Sequence, residues 1–221
     1  MIRGGPKGNF LRTLAIATIA IAAPAVVHSA DFSLSGTQVT MTGSIVPGDS
    51  EKFTDTVGSK LVRTIVLDSK GGDIVEALDI GEKLHRRDVY TTVGSDGLCA
   101  SACALIWAAG TQRSIANGGR VGFHGVYTKE DRQPTSVGNA LVGAYLVKLG
   151  YDYDAVIYAT IAPPTEMKWL DVYAAKDTGF TYEAKNMVET RAVPAPLHGC
   201  AKAAAQVAEI FGSTKGFSCK E

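Results

Sequence analysis

Two short segments carry the residue types that acyl-transfer chemistry needs. The first is Asp68-Ser69-Lys70-Gly71-Gly72. Two glycines at a strand-to-helix turn let backbone N–H groups face a cleft, which is how an oxyanion hole is built; a plain tight turn uses the same residues. The second is Cys99-Ala100-Ser101-Ala102-Cys103, with His124 lying 23 residues after the serine. A serine hydroxyl becomes a nucleophile when a base stands within about 3 Å of it, and His124 is a base of the right kind. Ser101 can equally cap the helix that follows it, and His124 can be a hydrogen-bonded core residue. Residue types alone leave both readings open. A Ser-Lys pairing would draw on Lys70 or Lys129, the nearest lysines by sequence. His85 falls in the helix-end run Lys83-Leu84-His85-Arg86-Arg87, read as a solvated face, and His198 belongs to the C-terminal tail. No HExxH, CxxC or phosphate-loop motif occurs, so no metal, nucleotide or other cofactor is implied.

Open α/β sheets keep their sites at the carboxyl ends of strands, and the pattern around these segments is of that kind. Residues 31–42 alternate polar and apolar and read as a short strand pair. Residues 45–49 then read as strand, turn and helix start. Residues 61–67 (LVRTIVL) form a nearly continuous β-branched run, the mark of a central strand buried on both faces. After Gly71-Gly72, Ile74, Ala77, Leu78, Gly81 and Leu84 recur at helical spacing, and residues 89–93 supply the next strand, completing a βαβ unit. Residues 94–98 read as a loop and 100–109 as a short, almost wholly apolar helix. Residues 113–116 and 120–123 read as strands around the turn Asn117-Gly118-Gly119, with His124 at the end of the second. Residues 134–149 form a helix apolar almost all round, which predicts that other parts of the structure cover it. A helix over 152–160, a strand over 167–170 and a helix over 171–177 with Gly179 past its end follow.

The N-terminus has a charged start (Arg3, Lys7, Arg12), an apolar stretch over 14–27 and the small-residue pattern Val27-His28-Ser29-Ala30. That is the order of a cleavable signal peptide, and the apolar run is shorter than a membrane span and broken by Pro24. Cutting after Ser29 or after Ala30 both fit. The expected organisation is a signal peptide over 1–30, one domain over 31–190 and an appendage over 191–221, where Pro194 and Pro196 precede an Ala-rich helix. Export places the protein in the periplasm or outside the cell, with no membrane span after cleavage. Removing the signal leaves 19 basic residues against 22 acidic ones. No basic stripe of the sort that neutralises phosphates is present, which argues against nucleic acid as a partner. Four cysteines in an oxidising compartment predict two disulfides. The local pairing, Cys99 with Cys103 and Cys200 with Cys219, is preferred because each pair is close in sequence; buried free thiols are the alternative.

The order strand, Gly-Gly, helix, strand, Ser-headed apolar helix, Ala-Gly, Arg, strand, His resembles the proteolytic subunit of Clp protease over roughly residues 36–182. Within that wider ClpP/crotonase-like superfamily, the LDSxGG turn and CxSAC segment look closest to exported bacterial proteins. The resemblance implies an α/β fold, a ClpP/crotonase-like spiral of βαβ units with a parallel sheet core. It implies Ser101 as nucleophile, His124 as base, and Gly71, Gly72 and the Ala102 N–H around the oxyanion. Three departures stand out. The family pattern has an aspartate completing a triad in the segment matching 165–179, and here Met167 falls at that place. Glu166 is adjacent and could substitute, whereas Asp171 reads as a helix N-cap. Lys70 stands where the glycine turn usually carries proline. Finally, the Clp enzyme works with an ATP-driven unfoldase, and a periplasm supplies no ATP.

Two functions follow as expectations. One is an ATP-independent exported serine hydrolase, a peptidase on short or unfolded chains, with a peptide or unfolded-protein substrate and self-association into a homo-oligomer. The other is a non-catalytic binding or scaffold protein of the same fold with a degenerate triad, for which Met167 argues. An acyl-CoA activity is disfavoured because that coenzyme is cytoplasmic.

Overall fold

A computed structural model describes Met1 and residues 29–128, 131–173 and 178–185. The expected signal segment up to residue 28, Lys129, the predicted helix over 171–177 beyond its first residues, and the appendage with His198, Cys200 and Cys219 lie outside the described residues.

The chain opens with the antiparallel pair β1 (Asp31–Ser35) and β2 (Gln38–Thr42), followed by α1 (Asp49–Val57). Strand β3 (Thr64–Asp68) lies parallel between β2 and β4 (Tyr90–Val93), and α2 (Ile74–His85) connects β3 to β4. Next come β5 (Leu98–Ala100), α3 (Ala102–Ala108), β6 (Arg113–Ala116) and β7 (Arg120–Phe123). The described chain ends with α4 (Ser136–Lys148), α5 (Tyr153–Thr160), β8 (Lys168–Leu170) and β9 (Glu183–Lys185). Strands assemble as a six-stranded sheet in the order β1-β2-β3-β4-β6-β9, parallel except at β1, and a three-stranded sheet β5-β7-β8. The mixed α/β architecture with a largely parallel core is the one expected.

Three local expectations are revised. Strand β3 starts at Thr64, and only its Ile65 and Leu67 face is fully buried, with Thr64 and Val66 half covered. Residues 98–100 form a strand, not loop and helix start, because Leu98, Cys99 and Ala100 pair in parallel with Arg120, Val121 and Gly122. A three-residue strand of Leu, Cys and Ala is too short to show any period. Helix α4 is not covered all round. It buries Gly138, Val142, Tyr145 and Leu146 but leaves Val137, Leu141 and Val147 exposed.

Helix α3 is buried over its whole length, and three side chains from outside it bond its backbone. Thr91 Oγ1 donates to Trp107 O, Tyr145 OH to Leu105 O and Tyr151 OH to Ala108 O. The Trp107 indole N–H donates to Ser114 O. Carbonyls of a helix's last turn have no intrahelical donor, so a buried short helix needs such side chains. Gly81 admits Tyr145 to this position: a Cβ there would stand 1.9 Å from the phenol oxygen.

Candidate functional site

The two sheets meet where the candidate residues lie. Ser69 bridges Cys99, with Ser69 N–H donating to Leu98 O and Ala100 N–H to Ser69 O. This sets the Gly71-Gly72 turn against the start of α3. Gly71 is at φ +91, and a Cβ on it would meet Ala100 O at 2.5 Å and Ser101 Cβ at 2.8 Å. Only glycine permits that approach. The Gly71 N–H, expected as an oxyanion donor, instead donates to Ser69 Oγ at 3.0 Å. Gly71 serves closeness, not donation.

Gly72 is different. Ile45 N–H donates to Gly71 O and Asp73 N–H donates to Ile45 O. A residue flanked by such a pair of ladder bonds turns its own N–H the other way. No acceptor among the described residues takes the Gly72 N–H, nor that of Ala102, the first residue of α3, whose N–H has no intrahelical partner. Both residues line the same cavity as Ser101.

Ser101 sits at φ 57, ψ −125 between β5 and α3. An N-cap residue has extended backbone angles, and the Ser101 side chain makes no capping bond; the helix-cap reading therefore fails. A non-glycine residue in this region costs about 1–3 kcal/mol and persists only where its surroundings impose it. Here they do. Ser101 N–H donates to Gly122 O and Ala104 N–H to Ser101 O, while a Cys99–Cys103 disulfide with Cα atoms 5.1 Å apart closes the turn around the serine. The disulfide joins a strand residue to a helix residue across Ser101.

His124 follows β7 directly. The two residues after it are held by Gly125 N–H to Ala162 O and Val126 N–H to Asn139 Oδ1. The imidazole stacks on Tyr127, with ring centroids 5.4 Å apart, and the Arg132 guanidinium lies over the other ring, 5.5 Å from its centroid. His124 Nδ1 is 2.7 Å from Gly125 O. A carbonyl only accepts, so Nδ1 carries a proton, and in the neutral ring Nε2 is the nitrogen left with a lone pair. Ser101 and His124 line one cavity, but no hydrogen bond joins them.

Strand β8 runs antiparallel to β7 with Phe123 opposite Lys168, and the register carried one pair further sets Met167 against His124. The Met167 side chain packs on Gly122, where a Cβ would stand 2.7 Å from its Cγ. The residue at this register position is thus apolar and offers the imidazole no carboxylate. Glu166 lines the cavity but is exposed and makes no hydrogen bond to His124. Asp171 Oδ1 accepts from Tyr173 N–H. Lys70 is exposed at the cavity edge and is not bonded to Ser101. His85 is half-buried with Nδ1 3.2 Å from Ala109 O, not on a solvated face.

The cavity has a volume of about 740 Å³. Its floor is apolar, built from the buried Leu105, Phe123, Val142 and Ala159, and its rim carries Lys70, Asp73, Arg132 and Glu166. Sequence reasoning missed the Gly125 carbonyl, because backbone acceptors leave no residue-type signal. Tyr127, three residues after His124, could have been noticed from its spacing.

No family model matches the chain, and no curated protein matches it. Similar solved structures include a mutant ClpP1 of Listeria monocytogenes, 17% identical, covering 70% of this chain and 94% of that one, with a TM-score of 0.47. Another is a mutant of a membrane-bound stomatin-specific protease, 14% identical, covering 66% and 76%, with a TM-score of 0.49. A third, PA4980 of Pseudomonas aeruginosa, is 14% identical, covering 73% and 79%, with a TM-score of 0.47.

Proposed function

We propose that the protein is a serine hydrolase acting on peptides, with Ser101 as nucleophile and His124 as base. The observation that carries this is the backbone of Ser101, held at φ 57, ψ −125 with a hydroxyl that caps nothing, on the wall of a cavity shared with His124. Strain of this kind clusters at reactive residues, and a serine on a sharp strand-to-helix turn is the arrangement that exposes a nucleophile.

In the reaction, Ser101 Oγ attacks the acyl carbon while its proton passes to His124 Nε2. The resulting oxyanion accepts hydrogen bonds from the Gly72 and Ala102 N–H groups. His124 then protonates the departing amine, leaving an acyl-serine, and the same imidazole takes a proton from the water that hydrolyses it. The Gly125 carbonyl holds Nδ1–H and so fixes the tautomer, the role a carboxylate has in a triad. It offers a dipole where a carboxylate offers a full charge, so imidazolium formation is less favoured and turnover slower. The imidazole must close on Ser101 when substrate binds; catalytic hydrogen bonds are often long in an empty site.

Export and independence from ATP belong to the same reading and rest on the N-terminal pattern. Self-association rests on α4, where Val137, Leu141 and Val147, together with Ala140 and Ala144, recur at helical spacing on one exposed face. No helix among the described residues is long and apolar enough to cross a membrane. A fluorophosphonate probe tests the hydrolase reading without a substrate. Wild type is expected to label and Ser101→Ala not to; labelling that survives Ser101→Ala would assign another nucleophile. The alternative, a binding protein of the same fold, is favoured by Met167 in place of a carboxylate and predicts no labelling at all.

A further inference from the structure

Asp49 is 2% exposed, and among the described residues no Lys, Arg or His forms an ion pair with it. Its Oδ2 accepts Val46 N–H at 2.7 Å and Ala30 N–H at 3.2 Å. As the first residue of α1 it gains from the helix dipole, but a buried carboxylate with neutral donors only remains costly. Ala30 is fully buried, and its carbonyl accepts from Lys52 Nζ at 2.7 Å. Its neighbour Ser29 is exposed and, among the described residues, makes only an isolated bridge to Ser44. Among the described residues at this end of the chain, burial therefore begins at Ala30.

We infer that the mature protein begins at Ala30 and that Asp49 is the seat of its new α-ammonium group. Hydrolysis of the Ser29–Ala30 bond by an endopeptidase of the export route consumes one water. It leaves a carboxylate on Ser29 and an amine on Ala30 that takes up a proton. The Ala30 nitrogen already lies 3.2 Å from Asp49 Oδ2, so processing turns a neutral amide donor into a cation at hydrogen-bond distance. Lys52 is held to Ala30 O and Asp31, outside this pair. Cutting after Ala30 would instead delete a buried residue and leave Asp49 without that donor. Of the two cleavage positions the sequence allows, only the cut after Ser29 completes the site. Processing and folding are thereby linked: the cleaved chain has the counter-charge that the precursor lacks.

The test uses the exported protein. Its N-terminal sequence and intact mass are expected to start at Ala30; a start at Asp31, or an uncleaved chain, overturns the inference. One alanine inserted between Ser29 and Ala30 keeps a cut after Ser29 possible but moves the ammonium one residue away from Asp49. The insertion is expected to lower Tm by about 10 °C in wild type and much less in Asp49→Asn. An equal drop in both backgrounds overturns the ion pair. Should Asp49→Asn fail to fold, the insertion alone decides, and an unchanged Tm refutes the pairing.

Discussion

Replacing Gly71 by alanine tests whether the glycine turn holds Ser101 in place. The added Cβ would stand 2.5 Å from Ala100 O, 2.8 Å from Ser101 Cβ and 2.9 Å from Ala102 N. Ordinary contact begins at 3.4 Å, so the nearest neighbour must retreat by about 0.9 Å. None of the three atoms is the end of a flexible side chain. They are the backbone and first side-chain atom of the reactive turn, pinned on the far side by Ser101 N–H to Gly122 O and by the disulfide. The φ of +91 adds about 1–2 kcal/mol for any residue with a Cβ, which lowers Tm by roughly 2–8 °C in a domain of this size. Misplacement of a reacting group by about 1 Å costs on the order of 100-fold in rate. Gly71→Ala is therefore expected to fold, melt a few degrees early and label with fluorophosphonate about 100-fold more slowly. Rates measured well below the melting transition, beside circular dichroism melts, separate the two effects. Wild-type labelling in a folded Gly71→Ala protein would refute the claim that this contact positions Ser101.

His124→Gln should reduce labelling about 100-fold to 10,000-fold, while Glu166→Gln should leave it within twofold, because Glu166 makes no bond to the imidazole; a large loss in Glu166→Gln would restore that carboxylate as the third member. Cys103→Ser opens a loop of only four residues, so the stability lost is about 2 kcal/mol, or roughly 4–8 °C in Tm. Labelling should nonetheless fall tenfold or more as Ser101 relaxes from its strained angles, and mild reduction of wild type should do the same. Alkali should unfold the protein between about pH 10 and 12, for burial pushes the Tyr151 and Tyr182 phenols up to about 12 and Tyr145 higher still. Raised folded values mean that this stability is complete below the unfolded phenol value near 10 and is lost as pH climbs through the folded ones. A pH series of melts with wild type and Tyr151→Phe checks it, and an unchanged alkaline limb in Tyr151→Phe would exclude Tyr151 as a contributor.

Period and punctuation made most of the architecture legible. The hairpin, α2, β4, β6, β7, α4 and α5 all show an alternating or helical pattern, or sit between Gly and Pro signals. Strand β5 was not legible, because Leu98-Cys99-Ala100 has no pattern and exists through its pairing with residues 120–122. Helix α4 misled for a related reason: an apolar sequence reports which side chains could be buried, not whether this chain supplies the cover. The site divides along the same line. Ser101, His124 and the glycines were legible as residue types at a spacing. What each does there depends on backbone atoms that spacing does not encode, so Gly71 proved to be spent on Ser69 and the Gly125 carbonyl to hold the imidazole.

The missing carboxylate carries a consequence for the kind of catalyst this can be. With Met167 packed on Gly122, no carboxylate among the described residues bonds Nδ1, and the site has a fixed tautomer without a counter-charge. In a triad whose aspartate is made an amide, the large loss arises chiefly from the wrong tautomer; a carbonyl acceptor avoids that part and forfeits only the charge. The expected enzyme is then slow, and its Ser101 depends more heavily on preorganisation. Strain, disulfide and glycine contact all converge on one turn, which is where a site lacking electrostatic help would concentrate its rigidity. Met167→Asp puts this to the test. A carboxylate one pair beyond Phe123 and Lys168 in the β7–β8 register should raise the labelling rate if it displaces the Gly125 carbonyl from Nδ1. A folded Met167→Asp protein that labels no faster than wild type would show that the absent carboxylate is not what limits Ser101.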